Sequence, residues 1–301
     1  MSTSMASQQE LGFDTYFPKE HYRSDLFSIG KVGKAGVLEE MAVAFGHHFT
    51  PQLSSEEFRS MIGKVGPAKT LQDNIGQVQE ILGTNKDAIA IARDWVGRSG
   101  LLHPVDRNFY NRNRPAETPE IALISGGVRN WMARRAKVLE SLPDSRLPET
   151  VLLVGGRRTM SPSEGEDVTE GMKESDYLRE IVLPLLQDKG MDVVSLAVDS
   201  EAGDDVMRAA ALRANEICDL ATAKVAVIAN AGNWPQNAGQ FIWGAKAAVR
   251  GGFNSSGDQV WVISDTIALG TGTEPTLTHQ NPFSALGQMA RNFYEFSHTV
   301  V

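Results

Sequence analysis

A single cysteine, Cys218, stands among 301 residues. No intramolecular disulfide can form and no Cys-rich metal site can be assembled, which fits a reducing compartment. Histidine is also sparse, at six residues. His47 and His48 are adjacent and point apart on a helix, and no HExxH occurs, so no metal site is expected. Long hydrophobic runs are missing: no stretch approaches the roughly 18–20 apolar residues of a membrane span. Met1 to Gln9 is polar and lacks the basic and apolar parts of a signal peptide. Positive charge is in deficit, with 29 Lys+Arg against 37 Asp+Glu and a net charge of -8. Non-specific nucleic-acid binding needs a basic surface, so that class is set aside. These absences predict a cytoplasmic protein with neither a membrane nor a nucleic-acid partner.

What remains is ordinary for a globular chain: 42% apolar residues and 22% charged, enough to bury a core. Apolar stripes at helical spacing run through Val37, Leu38, Met41 and Phe45, then Phe58, Met61, Ile62 and Val65. Others follow at Leu71, Ile75, Val78 and Leu82, and at Ile89, Ala92, Trp95 and Val96. His103 to Pro119 holds three prolines and three arginines without a period and reads as a linker or a wrapping loop. Residues 1–117 are therefore read as a helical N-terminal region and 118–301 as a Rossmann-like α/β domain.

In that domain, strands are expected at Glu120–Ile124, Val151–Val154, Asp192–Val198, Lys224–Ala229 and Gln259–Ser264. Helices are expected at Arg129–Leu142, Glu174–Leu186, Asp204–Ala221, Asn237–Val249 and Pro282–Phe296. Short apolar strands joined by helix-sized crossovers predict a doubly wound, mostly parallel sheet of about five strands.

Ligands of open parallel sheets bind beyond the carboxyl ends of the strands. Those ends carry Ser125-Gly126-Gly127, Gly155-Gly156-Arg157-Arg158, Asp199, Asn230 with Asn233, and Asp265. The Gly-Gly turns let a ligand approach the backbone N–H groups, and Arg129, Arg157 and Arg158 offer charge-assisted bonds to an anion. Close strand-to-helix turns explain the same glycines without a ligand. Neither turn is a GxGxxG fingerprint or a P-loop, and Ser125 lacks the G-x-S-x-G elbow. Glu174, in the first turn of a helix, and Asp199, at a strand end, are the candidate acid/base groups. A first-turn carboxylate also stabilises a helix through its dipole.

The order of these features resembles the YdcF/SanA/ElyC-like family over residues 118–270. Ile121–Gly127, Arg134 or Arg135, Val151–Gly156, Glu174-Ser175-Asp176 and Asp199 occupy its places. The Ser, Thr and Asn after the acidic strand end are replaced near Ala202, Asp205 and Arg208. The His-Met-Arg region looks like Asn230 to Asn237 without the histidine. The resemblance implies a nucleotide-like or phosphorylated small molecule, with S-adenosylmethionine a candidate cofactor.

The expected function is binding of a small anionic or nucleotide-like metabolite, extending to group transfer. Two alternatives stand beside it. One is a phosphoester-type hydrolase using Asp199, Asp265 and His279. The other is a non-enzymatic interaction or assembly protein whose helical N-terminal third and aromatic C-terminal helix (Phe293, Tyr294 and Phe296) bind a partner, although apolar stripes of this kind also serve as core or as a homo-oligomer contact.

Overall fold

A computed structural model describes residues 71–83, 86, 106–108, 117–230, 233–249, 259–265 and 287. The chain divides into two compact units, 1–103 with 231–236 and 266–301, and 104–230 with 237–265. In the first, helix α1 (Leu71–Leu82) forms on one of the predicted stripes and buries Ile75 and Val78. Gly287 is helical and lies against Ile75. The other stripes of the N-terminal region, and all but Gly287 of the expected C-terminal helix, lie outside the described residues.

The second unit holds the expected mostly parallel α/β sheet, although 104–117 belong to it and 231–236 and 266–301, expected within residues 118–301, cluster with the first unit. Its strands are β1 (Asp106–Asn108), β2 (Ile121–Ser125), β3 (Thr150–Gly155), β4 (Asp192–Ala197), β5 (Val225–Asn230) and β6 (Val260–Asp265). They lie in the order β1-β6-β5-β2-β3-β4. Strands β2 to β6 are mutually parallel, and only β1 runs antiparallel, against β6. That three-residue strand falls in the proline- and arginine-containing stretch read as linker, because a strand so short shows no period in the sequence.

The helices are α2 (Arg129–Glu140), α3 (Glu174–Tyr177), α4 (Leu183–Gln187), α5 (Gly203–Ile217) and α6 (Trp234–Ala248). Between α3 and α4 a π-turn covers Leu178–Val182, with the Leu183 N–H on the Leu178 carbonyl. Pro184 accounts for it: proline has no N–H and its ring crowds the carbonyl four residues back, so the helix widens there.

Every residue of β2 and β5 is buried. Their continuous apolar runs follow from helices covering both faces. Strand alternation sends Ala122, Ile124, Val151, Leu153, Ala226 and Ile228 into one cluster with Met132, Leu139, Tyr177 and Leu178. The other face is covered by α5, which lies on β2 and β3. Helix α6 closes onto α5, where Gly244 leaves room only for the backbone at Met207 and Arg208. β4 is the exposed edge of the sheet.

The chain leaves β2 toward β3 and β4 on one side, then crosses back to place β5 on the other side of β2. The switch point therefore lies between the carboxyl ends of β2 and β5, at Ser125 and Asn230. Adjacent helices diverge there and a crevice opens in folds of this type.

Candidate functional site at the switch point

The guanidinium of Arg135 occupies the switch point. Arg135 sits on the buried stripe of α2, with Met132, Ala136 and Leu139, and is 1% exposed. Its Nε donates to Asn230 Oδ1 at 2.9 Å, joining the end of β2 to the end of β5. Its Nη1 donates to the Ser125 carbonyl at 2.6 Å, to Ser125 Oγ at 2.9 Å and to the Gly126 carbonyl at 3.0 Å. Asn237, at the start of α6, donates its Nδ2 to the same Ser125 Oγ at 2.7 Å.

Glu174 stands beside this group. It is 9% exposed, and its carboxylate lies over Gly126, within reach of Gly156. A side chain on Gly126 would occupy the place of Glu174 Oε2. Behind it, the start of α3 presses so closely on Gly155 that a Cβ there would lie 2.5 Å from the Ser175 nitrogen. Gly156 faces the Ser200 carbonyl beyond β4 at 2.6 Å on the same construction. The glycines of the second turn thus accommodate the protein's own backbone. Burial raises the Glu174 pKa, against the pull of Arg158 and Arg135.

Arg158 bridges three segments. It pairs with Glu174, donates Nη1 to Glu164 Oε1 at 2.9 Å and donates Nη2 to the Gly127 carbonyl at 2.8 Å. Arg129 forms a two-pronged pair with Asp167, at 2.8 and 2.9 Å. Tyr177 donates its hydroxyl to Asp167 at 3.1 Å. Burial and the neighbouring Asp167 push the Tyr177 pKa up to about 12, so the phenol keeps its proton and stays a donor.

Glu164 belongs to the short turn Pro162–Glu164, after Ser161. Its second oxygen accepts the Arg129 backbone N–H at 2.9 Å. Val128, before α2, provides no side-chain cap. A carboxylate from 35 residues away therefore takes the position of a cap at the positive end of α2. Three arginines (129, 135 and 158) and three carboxylates (164, 167 and 174) meet in this region, so the cationic wall expected from the sequence is compensated from within.

Arg157 lies apart. Its side chain is 52% exposed and forms loose pairs with Asp199 at 3.4 Å and Glu201 at 3.9 Å, both on the surface. Asp265 ends β6 in register with Asn230. Asn233 is buried but belongs to the other compact unit, and His279 lies outside the described residues. Among the described residues, no group of three or more His, Cys, Asp or Glu could hold a metal ion, and no helix is long and apolar enough to cross a membrane.

The sequence-predicted residues Ser125, Gly126, Gly127, Gly155, Gly156, Arg158, Glu174 and Asn230 converge here. Arg129 joins them through Glu164. The contributions of Glu164, Asp167, Tyr177 and Asn237 were not expected. Ser161-x-x-Glu164 does carry a capping-box signature, which the turn fulfils. Of Arg134 and Arg135, which the resemblance left as alternatives, it is Arg135, on the buried stripe of α2, that reaches the site. Nothing local marks Asp167 or Asn237.

The acidic turn gives this region an acid-sensitive fastening. Burial opposes charge on Glu164, but the Arg158 pair and the Arg129 and Ser161 N–H groups outweigh it and lower its pKa. Asp167 is lowered chiefly by Arg129, against burial and with help from Tyr177. A depressed folded-state pKa contributes stability above the unfolded value, about pH 4, that is lost as pH falls through the folded value. The thermal midpoint is expected to fall below about pH 4. A Glu164→Gln, Asp167→Asn double variant should flatten that decline, as seen in melts from pH 7 to 2. An equally steep decline in the double variant would place the acid sensitivity elsewhere.

Compared with family models, with curated proteins and with solved structures, this chain matches none, so its site is read from geometry alone.

Proposed function

We propose that the unit of residues 104–230 and 237–265 binds a small nucleotide-like metabolite bearing an anionic group. The ligand lies at the carboxyl ends of β2 and β5, and Glu174 acts as its ribose acceptor or proton-transfer group. The carrying observation is Glu174 itself. A buried carboxylate with raised proton affinity, set between two glycine turns beside a switch point, is costly to stability and suited to acid–base work. Glu164 fills the helix-start N–H of Arg129 and one arm of Arg158, so the anionic part of the ligand is assigned to the turn at Ser125 rather than to these donors. Nucleotides and S-adenosylmethionine combine a ribose with such a group.

The test is a thermal-shift panel of ADP, S-adenosylmethionine, a sugar phosphate and pyrophosphate. At about 100 times its dissociation constant, a true ligand adds about 2.7 kcal/mol of stability. At least one ribose-containing member should raise the midpoint of the wild type, and Glu174→Gln should lose most of that rise. A flat response across the panel, or an undiminished rise in Glu174→Gln, would contradict the reading.

A further inference from the structure

The Ser125 hydroxyl has a fixed polarity. A serine oxygen offers two lone pairs and one hydrogen. Both neighbours of Ser125 Oγ are donors: Arg135 Nη1 at 2.9 Å and Asn237 Nδ2 at 2.7 Å. A guanidinium has no acceptor at all, so these bonds cannot be reversed at the arginine. Arg135 is held in turn by the carbonyls of Ser125 and Gly126 and by Asn230 Oδ1, which stops it from turning away. With its lone pairs engaged on two sides, Ser125 has its hydrogen left to give. No described residue accepts that hydrogen. Yet Ser125 is 7% exposed, too buried for bulk water to satisfy it freely, and a buried polar hydrogen without a partner is costly.

We infer that Ser125 is the specificity-determining hydrogen-bond donor of the switch-point site, oriented by Arg135 and Asn237, and that it selects a ligand presenting an oxyanion or carbonyl oxygen there. The inference rests on the proposed binding reading and deepens it by assigning the polarity of the ligand atom at the end of β2. A ligand that places an ammonium or another donor at this point meets two donors and a spent lone-pair set, and is rejected. Arg135 and Asn237 are positioning residues. They act through Ser125.

The experiment titrates ADP, S-adenosylmethionine and adenosine into the full-length protein by calorimetry. Adenosine shares the nucleoside and lacks the anionic oxygen. A hydrogen bond to a charged acceptor is worth about 1.5–3 kcal/mol. Ser125→Ala should therefore weaken ADP or S-adenosylmethionine by about tenfold or more and leave adenosine unchanged. Asn237→Asp keeps the hydroxyl but offers its hydrogen an acceptor inside the protein. It should reproduce the loss with a near-native melting profile, whereas Ser125→Thr, which retains the hydroxyl, should bind within about threefold of wild type.

Wild-type binding that survives unchanged in both Ser125→Ala and Asn237→Asp would overturn the donor assignment and leave the binding reading standing. Absence of binding by all three compounds to the wild type would overturn the binding reading and this inference with it. Equal affinity of the wild type for adenosine and for both anionic compounds would overturn the oxyanion assignment alone.

Discussion

Arg135→Met is expected to cost about 3–5 kcal/mol of unfolding free energy, from several orphaned acceptors at about 1–3 kcal/mol each after partial relaxation. The volume is roughly conserved, so loss of packing is a minor part of the effect. The Ser125 and Gly126 carbonyls, Ser125 Oγ and Asn230 Oδ1 all lose a donor at buried or half-buried positions. Set against a typical domain stability of about 5–15 kcal/mol, that removes much of the margin. Arg135→Lys should recover only part of it. A single ammonium on a flexible stem cannot span Asn230 on one strand and the Ser125–Gly126 carbonyls on the next as a planar fork does. Urea unfolding of the three proteins measures the order. A loss below about 1 kcal/mol for Arg135→Met would mean that water or rearrangement satisfies these acceptors, and that the switch point is not closed by the arginine.

A second large effect separates the two glycine turns. Gly155→Ala puts a methyl group against backbone: 2.5 Å from the Ser175 nitrogen and 2.9 Å from the Glu174 carbonyl carbon. Nothing flexible lies there to yield, so the start of α3 must move. Overpacking of a rigid site costs about 1–3 kcal/mol, and backbone as the obstacle places this change at or above the upper end. Gly126→Ala meets the far end of a side chain, the Glu174 carboxylate, which can swing aside. That variant should lose less stability than Gly155→Ala, because a side chain rather than backbone yields, while drawing Glu174 off Arg158. Both changes should abolish the ligand response, but only Gly155→Ala should shift the denaturant midpoint strongly. A Gly126→Ala protein with wild-type ligand response would show that the position of Glu174 is immaterial.

The sheet was legible because its signal is local and redundant. Ile121–Ile124 and Val225–Ala229 are apolar, and each is followed by a helix-sized segment, so a mostly parallel sheet follows from chain-packing rules, while the strand order and the switch beside β2 are given by the fold. Boundaries missed where a local feature was subtle. The helix expected from Asn237 starts at Trp234, and the helix expected to run unbroken from Glu174 widens ahead of Pro184.

The site was legible in part. Glycines and polar residues at strand ends identify themselves by position. Their partners do not, because charge compensation is a long-range property. Asp167 reaches Arg129 across 38 positions and Asn237 reaches Ser125 across 112. A pattern of spaced arginines reads as an anion cradle until the folded chain supplies Glu164, Asp167 and Glu174 to meet it. The same list of residues then describes a compensated site in which Glu174, paired with Arg158, keeps a raised proton affinity and the Ser125 hydroxyl has a hydrogen to give.

Hydrogen exchange with and without saturating ADP or S-adenosylmethionine tests the central claim most directly, because it reports where a ligand sits rather than whether one binds. Binding at the switch point predicts slowed exchange in the segments at the ends of β2, β3 and β5, residues 125–130, 155–158 and 228–230, and at the start of α3, with the edge strand β4 and the body of α5 unchanged. Protection confined to other segments, with these four unaltered, would contradict the account.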